Sequence, residues 1–216
     1  MFPPHNIKKL LPQLTKINTY ISLQAILGHT PYVYVSTLMD NDTTDLINLI
    51  LHHTIDDQEI TIRPIYPTDK AIEADFVRNL SAHKRRYRFM GALKELSSQL
   101  LTKLCTVDGH STMAFIATIQ DNDNKEVEIG VCRYVHGGEP DTREFAITTA
   151  DDWHEKDLDV LLFNQLIKYA RYRGVKHLYS VDLADDPFLR DLAQKLDMKT
   201  TRDPKDVHQV IHSLDL

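Results

Sequence analysis

From residue 59 onward, apolar positions recur with two alternating periods, and each change of period marks a new element. The segment EITIRPI (59–65) alternates apolar and polar side chains, carries β-branched Ile and Thr, and runs into Pro67, which predicts a strand. Thr68 and Asp69 supply N-cap chemistry for a helix reaching about Leu80, in which Ala71, Ile72, Asp75 and Phe76 are spaced by three or four. Beyond the basic segment HKRRYRF (83–89), LKELSSQLLTKL (93–104) predicts a second helix. TMAFIATIQ (112–120), EVEIGVCRYV (126–135) and EFAITTA (144–150) are separated by DNDN and HGGEPD, both rich in turn residues, and predict an antiparallel meander. A helix over 158–173 places Leu158, Leu161, Leu162, Leu166 and Tyr169 on one stripe and stops at Gly174, suited to a C-terminal cap. VKHLYSVDL (175–183) predicts a strand, 187–196 a short helix opened by proline, and DVHQVIHSLDL (206–216) a closing strand. The pattern is that of a mixed α/β (α+β) domain.

Residues 1–57 follow a different pattern and read as an N-terminal extension of unknown role, ahead of the domain at 58–216. A helical stretch over 6–27 is interrupted by Pro12, YVYVSTL (32–38) is strand-like, and DTTDLINLILHH (42–53) is helical again. The segment is too small to form a confident core of its own. It is expected to pack on the main domain or on a partner subunit, giving a homo-oligomer.

Composition narrows the function classes. The 216 residues are 42% hydrophobic and 26% charged, enough for one good-sized core. A net charge of -6 argues against wrapping nucleic acid or lying on an anionic membrane, since both require a dominant basic face. No run of about 18 apolar residues occurs, and MFPPHNIKKLL lacks the layout of a secretion signal, so a cytoplasmic location is expected. Cys105 and Cys132 lack C-x-x-C spacing and read as buried, reduced thiols.

Local chemistry is sparse. AHKRRYR (82–88) is the one dense basic cluster; it reads as a solvated connection with Tyr87 and Phe89 turned inward, the alternative being capture of a phosphate or an acidic partner. His208 and His212 would lie about 13 Å apart on a strand, too far for one metal, and His52 and His53 diverge by about 100° on a helix. No metal site and no serine-centred triad is read from the chain.

The order strand, helix, helix, three antiparallel strands, helix, strand, helix, strand resembles the GNAT superfamily of N-acetyltransferases. ITIRPI, RRYRF, KELS, MAFIA, GVCRYV, REFAI, DDW, LIKYARYRGV and LAQKLDM resemble, in that order, the acetyltransferase domain of bacterial protein lysine acetyltransferases, over about residues 59–216. The resemblance implies the acyl-CoA N-acyltransferase fold, a mostly antiparallel sheet flanked by helices. It implies acetyl-CoA as cofactor, its pantetheine arm along the backbone of Phe145, Ala146 and Ile147 and its pyrophosphate on the N-terminus of the helix at 158, where free N–H groups and the helix dipole favour anions. Glu144 matches the family's general base, which takes the proton of the attacking amine; a surface carboxylate paired with Arg143 is the structural alternative. No tyrosine on the last helix is available to protonate the leaving thiolate.

The family's phosphate loop, Q/R-x-x-G-x-G/A, maps onto His154, Lys156, Asp157, Leu158 and Asp159, and all three signature positions differ from it, at His154, Asp157 and Asp159. Asp186 stands where the family usually has asparagine, and Asp197 where it has the glycine of L-G-F. A carboxylate about 5 Å from a phosphate oxygen costs about 1 kcal/mol when well screened and about 3 kcal/mol at an effective dielectric near 20. Two or three of them predict a loss of about two to four orders of magnitude in CoA affinity. Alternatively stated, Asp157 and Asp159 are expected to cap their own helix where relatives bind an anion. The sequence therefore predicts a degenerate acetyltransferase, a pseudoenzyme with weak or no acetyl-CoA use serving as a binding or regulatory module. An active N-acetyltransferase acting on a protein lysine or a small amine is the alternative. The acyl acceptor and any protein partner are not named by the sequence.

Overall fold

Local turn chemistry sets the first strands. The structure, a computed structural model, describes residues 49–91, 95–153 and 156–216. Strands β1 (Leu51–Ile55) and β2 (Gln58–Pro64) are joined by Asp56 and Asp57, both at positive φ, the conformation a two-residue hairpin needs to match strand twist. Residues 51–53, expected to continue a helix, are thus in a strand: β1 is an edge strand whose three central residues are exposed, so it carries no alternation of buried and exposed positions to read. The other expectations for residues 1–48 lie outside the described residues.

The helix α1 (Lys70–Asn79) begins at Asp69, but Asp69 does not cap it with its side chain. Its carboxylate instead accepts from Tyr66 N at 2.7 Å and from Arg63, which also reaches Glu126, so one half-buried guanidinium ties the turn before α1 to the start of β4 (Glu126–His136). The basic segment expected as a connection is a helix, α2 (Ala82–Phe89), whose start is capped by Ser81 Oγ accepting from Lys84 N. α3 (Ser98–Cys105) starts five residues later than predicted, at a serine N-cap; residues 93 and 94 of the expected helix lie outside the described residues.

The meander forms as expected from β3 (Met113–Gln120), β4 and β5 (Thr142–Thr149). α4 (Leu158–Tyr172) buries Leu158, Leu162, Leu166 and Tyr169, while Leu161 is partly exposed. Fully burying leucines of this kind stabilises by about 1.5–3 kcal/mol each. β6 (His177–Leu183), α5 (Pro187–Lys195), β7 (Lys199–Arg202) and β8 (Gln209–Asp215) complete the chain. β7 was not predicted; all four of its residues are exposed.

These strands make one eight-stranded sheet in the order β1-β2-β3-β4-β5-β6-β8-β7. Every neighbouring pair is antiparallel except β5 and β6. α4 and α5 cover one face over a core that includes Phe115, Tyr134, Phe145 and Phe163, and α1 and α3 cover the other over Ile65, Ala114, Ile116 and Val131. The parallel contact is short: only Thr142, Arg143 and Glu144 pair with His177, Leu178 and Tyr179, after which the two strands diverge. Among the described residues, no helix is long and apolar enough to cross a membrane. Cys105 and Cys132 are buried and unpaired.

Candidate functional site

Where β5 and β6 part, they open a small groove with about 40 Å³ of internal space, walled by β5 from Ala146 to Thr149, by Asp182 of β6, by the first turn of α5 and by one face of α2. Because strand pairing stops at Glu144, no strand among the described residues covers the β6-facing edge of β5 from Phe145 on. Ala146 and Ile147 line this groove; Phe145 turns the other way, its ring 4.6 Å from that of Phe163. Glu144 is exposed at the closed end of the opening and stands beside Tyr179 in register; burial and this carboxylate raise the Tyr179 pKa. Arg143 does not pair with Glu144. It is buried, and its guanidinium donates to the carbonyls of Pro140, Thr142 and His110.

At the start of α4 the phosphate-loop positions separate. Asp157 adopts φ 52°, the left-handed conformation for which the family's glycine is suited, yet it makes no cap: its carboxylate pairs with Lys195 at 2.8 Å. Holding a non-glycine residue there costs about 1 kcal/mol, less for aspartate than for most. Asp159 is buried; its Oδ1 accepts from Val160 N at 2.9 Å, its Oδ2 meets no donor, and burial raises its pKa. The expectation that both aspartates cap the helix holds in part, for Asp159 alone. Leu158 is core, and Lys156 reaches Asp56 at 3.0 Å with its ammonium 4.8 Å from the Trp153 ring centre. His154 lies outside the described residues.

Two groove residues escaped the sequence because their burial arises from packing. Lys84 donates from Nζ to the carbonyls of Thr149 and Ala150, at 2.8 and 3.2 Å, and lies over the Phe188 ring. Burial lowers its pKa, and Asp151, Asp159, Asp186 and Asp152 counteract. Arg88 lines the same groove; its Nη2 is buried without an acceptor, and burial with Arg133 nearby lowers its pKa to about 10. Lys84, Tyr87 and Arg88 fall on one helical face at i, i+3 and i+4, a spacing visible in the sequence itself. Asp182 stands opposite, accepting from Ser180 Oγ, and burial brings its pKa to about 6, with Asp186 and Glu144 adding to the rise.

Asp186 caps α5 with its own side chain, accepting from Phe188 N at 2.9 Å and Leu189 N at 3.4 Å, and Asp151 accepts from Ser81 N at 2.8 Å to fix the start of α2. The start of α4 thus carries a buried carboxylate, and the neighbouring cations are already engaged, Lys84 by carbonyls and Lys195 by the carboxylates of Asp157 and Asp191. A pyrophosphate does not fit that chemistry: it would meet Asp159 rather than vacant N–H groups. Among the described residues no cluster of His, Cys, Asp and Glu could hold a metal ion.

An eight-stranded, mostly antiparallel sheet that splays at one parallel pair is the GNAT acetyltransferase fold. The GNAT domain of S. lividans PAT superposes with a TM-score of 0.71 at 19% identity, over 78% of this chain and 97% of that one. The acetyltransferase of GNAT family from Streptococcus pneumoniae superposes with a TM-score of 0.57 at 14% identity, over 73% and 99%. No protein-family model matches the chain. Acetyltransferase PA5475 of Pseudomonas aeruginosa is 39% identical over 161 residues, covering 74% of this chain and 86% of that protein. The chain belongs to the GNAT acetyltransferase family, whose members generally use acetyl-CoA.

Proposed function

We propose that this protein is a degenerate GNAT acetyltransferase that uses acetyl-CoA weakly or not at all and serves as a binding or regulatory module. The observation that carries the reading is Asp159, a carboxylate buried at the start of α4 and already bonded to Val160 N, where relatives present free N–H groups to a pyrophosphate. Asp157 adds a second negative charge in the preceding turn. The test is calorimetric titration with acetyl-CoA. The unmodified protein is expected to bind more weakly than about 1 mM, and the variant carrying Asp157→Gly and Asp159→Gly about 100-fold more tightly. Micromolar binding by the unmodified protein overturns the reading.

A second reading, an active enzyme acting on a protein lysine or a small amine, is favoured by Glu144. Held beside Tyr179 where the strands part, its carboxylate is exposed and placed to take an amine's proton. If that reading holds, Glu144→Gln abolishes transfer while leaving acetyl-CoA affinity unchanged. The extension at 1–57 is proposed as the surface for a second copy, and the protein's place as cytoplasmic.

A further inference from the structure

α2 lies across the place where β5 and β6 part. Its first half is tied to the end of β5: Lys84 Nζ donates to the carbonyls of Thr149 and Ala150, at 2.8 and 3.2 Å, and Asp151 accepts from Ser81 N. The same helix reaches the far side of the opening. The Tyr87 hydroxyl donates to the Asp185 carbonyl at 3.3 Å, Arg86 meets the Asp185 carboxylate at 3.5 Å, and the Lys84 ammonium stands 5.5 Å from the centre of the Phe188 ring on α5. Lys84, Tyr87 and Phe188 all line the groove, and the internal space left among its walls is about 40 Å³, enough for a few water molecules and nothing larger.

The contacts on the far side are of a kind that comes apart. Arg86 and Asp185 are both exposed, and exposed pairs of this length contribute little to stability. α2 has eight residues, buries none of them fully, and is bounded by Leu80 in an extended conformation and by Met90 in the left-handed one. Elements with so few buried apolar contacts lie at the low end of local stability. The end of α2 is better held, since Phe89 packs on the core beside α1 and Arg88 sits among Arg133, Glu73 and Glu128. We propose that α2 is a strap that holds the groove shut, with Lys84 as its latch and the Arg88–Phe89 end as the pivot about which it turns outward. A partner that draws Arg86 and Tyr87 away from Asp185 then opens the β5 edge and the apolar wall of Ile147, Phe188 and Leu189. The inference rests on the reading above, of which it names the regulation: the groove of the module is closed by its own helix.

The test uses the full chain carrying Thr148→Cys, which places a thiol at a buried position of the groove wall, and follows its reaction with iodoacetamide by mass spectrometry. Cys105 and Cys132, both buried, report on the rest of the fold in the same sample. With α2 unchanged the introduced thiol is expected to react slowly. Adding Lys84→Met, which keeps an apolar stem beside Phe188 and loses the N–H donors, should speed that reaction at least tenfold while Cys105 and Cys132 stay slow. An unchanged rate overturns the proposal, as does an equal gain at all three thiols, which is loss of the fold and not release of the strap. If Lys84→Met does not fold, Arg86→Gln with Tyr87→Phe removes both contacts to Asp185 and is expected to speed the introduced thiol about threefold; no difference overturns the proposal. Titration of the unmodified protein with acetyl-CoA keeps the two readings apart. Weak acetyl-CoA binding with fast labelling that ignores Lys84 would sink this inference alone, and micromolar acetyl-CoA binding with labelling that depends on Lys84 would sink the earlier reading alone.

Discussion

Asp197 holds φ 52° just beyond α5, where Met198 N donates back to Ala193 O at 2.8 Å and Asp197 N to Gln194 O at 3.3 Å. This is the left-handed C-terminal cap in which glycine is the least strained residue, and the apolar Met198 follows it into the core. Asp197→Gly is therefore expected to stabilise by about 0.5 kcal/mol, the relief of strain exceeding the greater chain entropy of glycine, and urea denaturation measures it. Asp157 has the same φ but differs in consequence, since its carboxylate also holds Lys195 and raises the lysine's pKa. The sequence disclosed that glycine-type positions were filled by aspartate. It did not disclose which aspartate would turn inward. That choice is made by Lys195, 38 residues away, which draws Asp157 outward and leaves only Asp159 over the helix start.

At the scale of elements, the close approach of β4 to α4 is set by Gly130. A Cβ there would come within 2.9 Å of Leu162 Cδ1 and 3.3 Å of the Thr148 carbonyl. Leu162 must turn aside, and the carbonyl, held in the paired strand β5, must give by a few tenths of an ångström. Gly130→Ala should cost about 1–3 kcal/mol, read as a lower urea midpoint at unchanged slope. Elements of this kind were legible in the sequence because both faces of β3 and β4 are covered and α4 shows a continuous apolar stripe. The strands β1 and β7 were not, because edge strands with mostly exposed residues carry no alternation of apolar and polar positions. α2 reads weakly for a related reason: none of its residues is fully buried, and its inward side mixes Lys84 and Arg88 with Tyr87 and with Phe89, which packs on the core as expected.

For the molecule as a whole, buried acids shape the dependence of stability on pH. The Asp182 carboxyl titrates at about 6 in the folded chain, above its ordinary value of 3.8, so the folded state holds a proton that the unfolded chain has already lost. Stability from this group is greatest below the unfolded value and falls as pH rises through that window, leaving a full penalty above about 6. Asp182→Asn should raise the unfolding midpoint at pH 7.5, corresponding to about 1–2 kcal/mol after allowing for the groove's solvent, and leave it unchanged at pH 3.5. Glu128, raised by burial and by Glu73, acts in the same direction.

The sheet is held together at its middle by three residue pairs, with five strands to one side and three to the other. It is in effect two panels sharing a short spine, and α4, which joins β5 to β6 along the chain, lies beneath both. Beyond Glu144 the panels are joined by side-chain packing and not by strand hydrogen bonds, so the backbone amides on that open edge of β5 are expected to exchange with solvent sooner than those between β3 and β4.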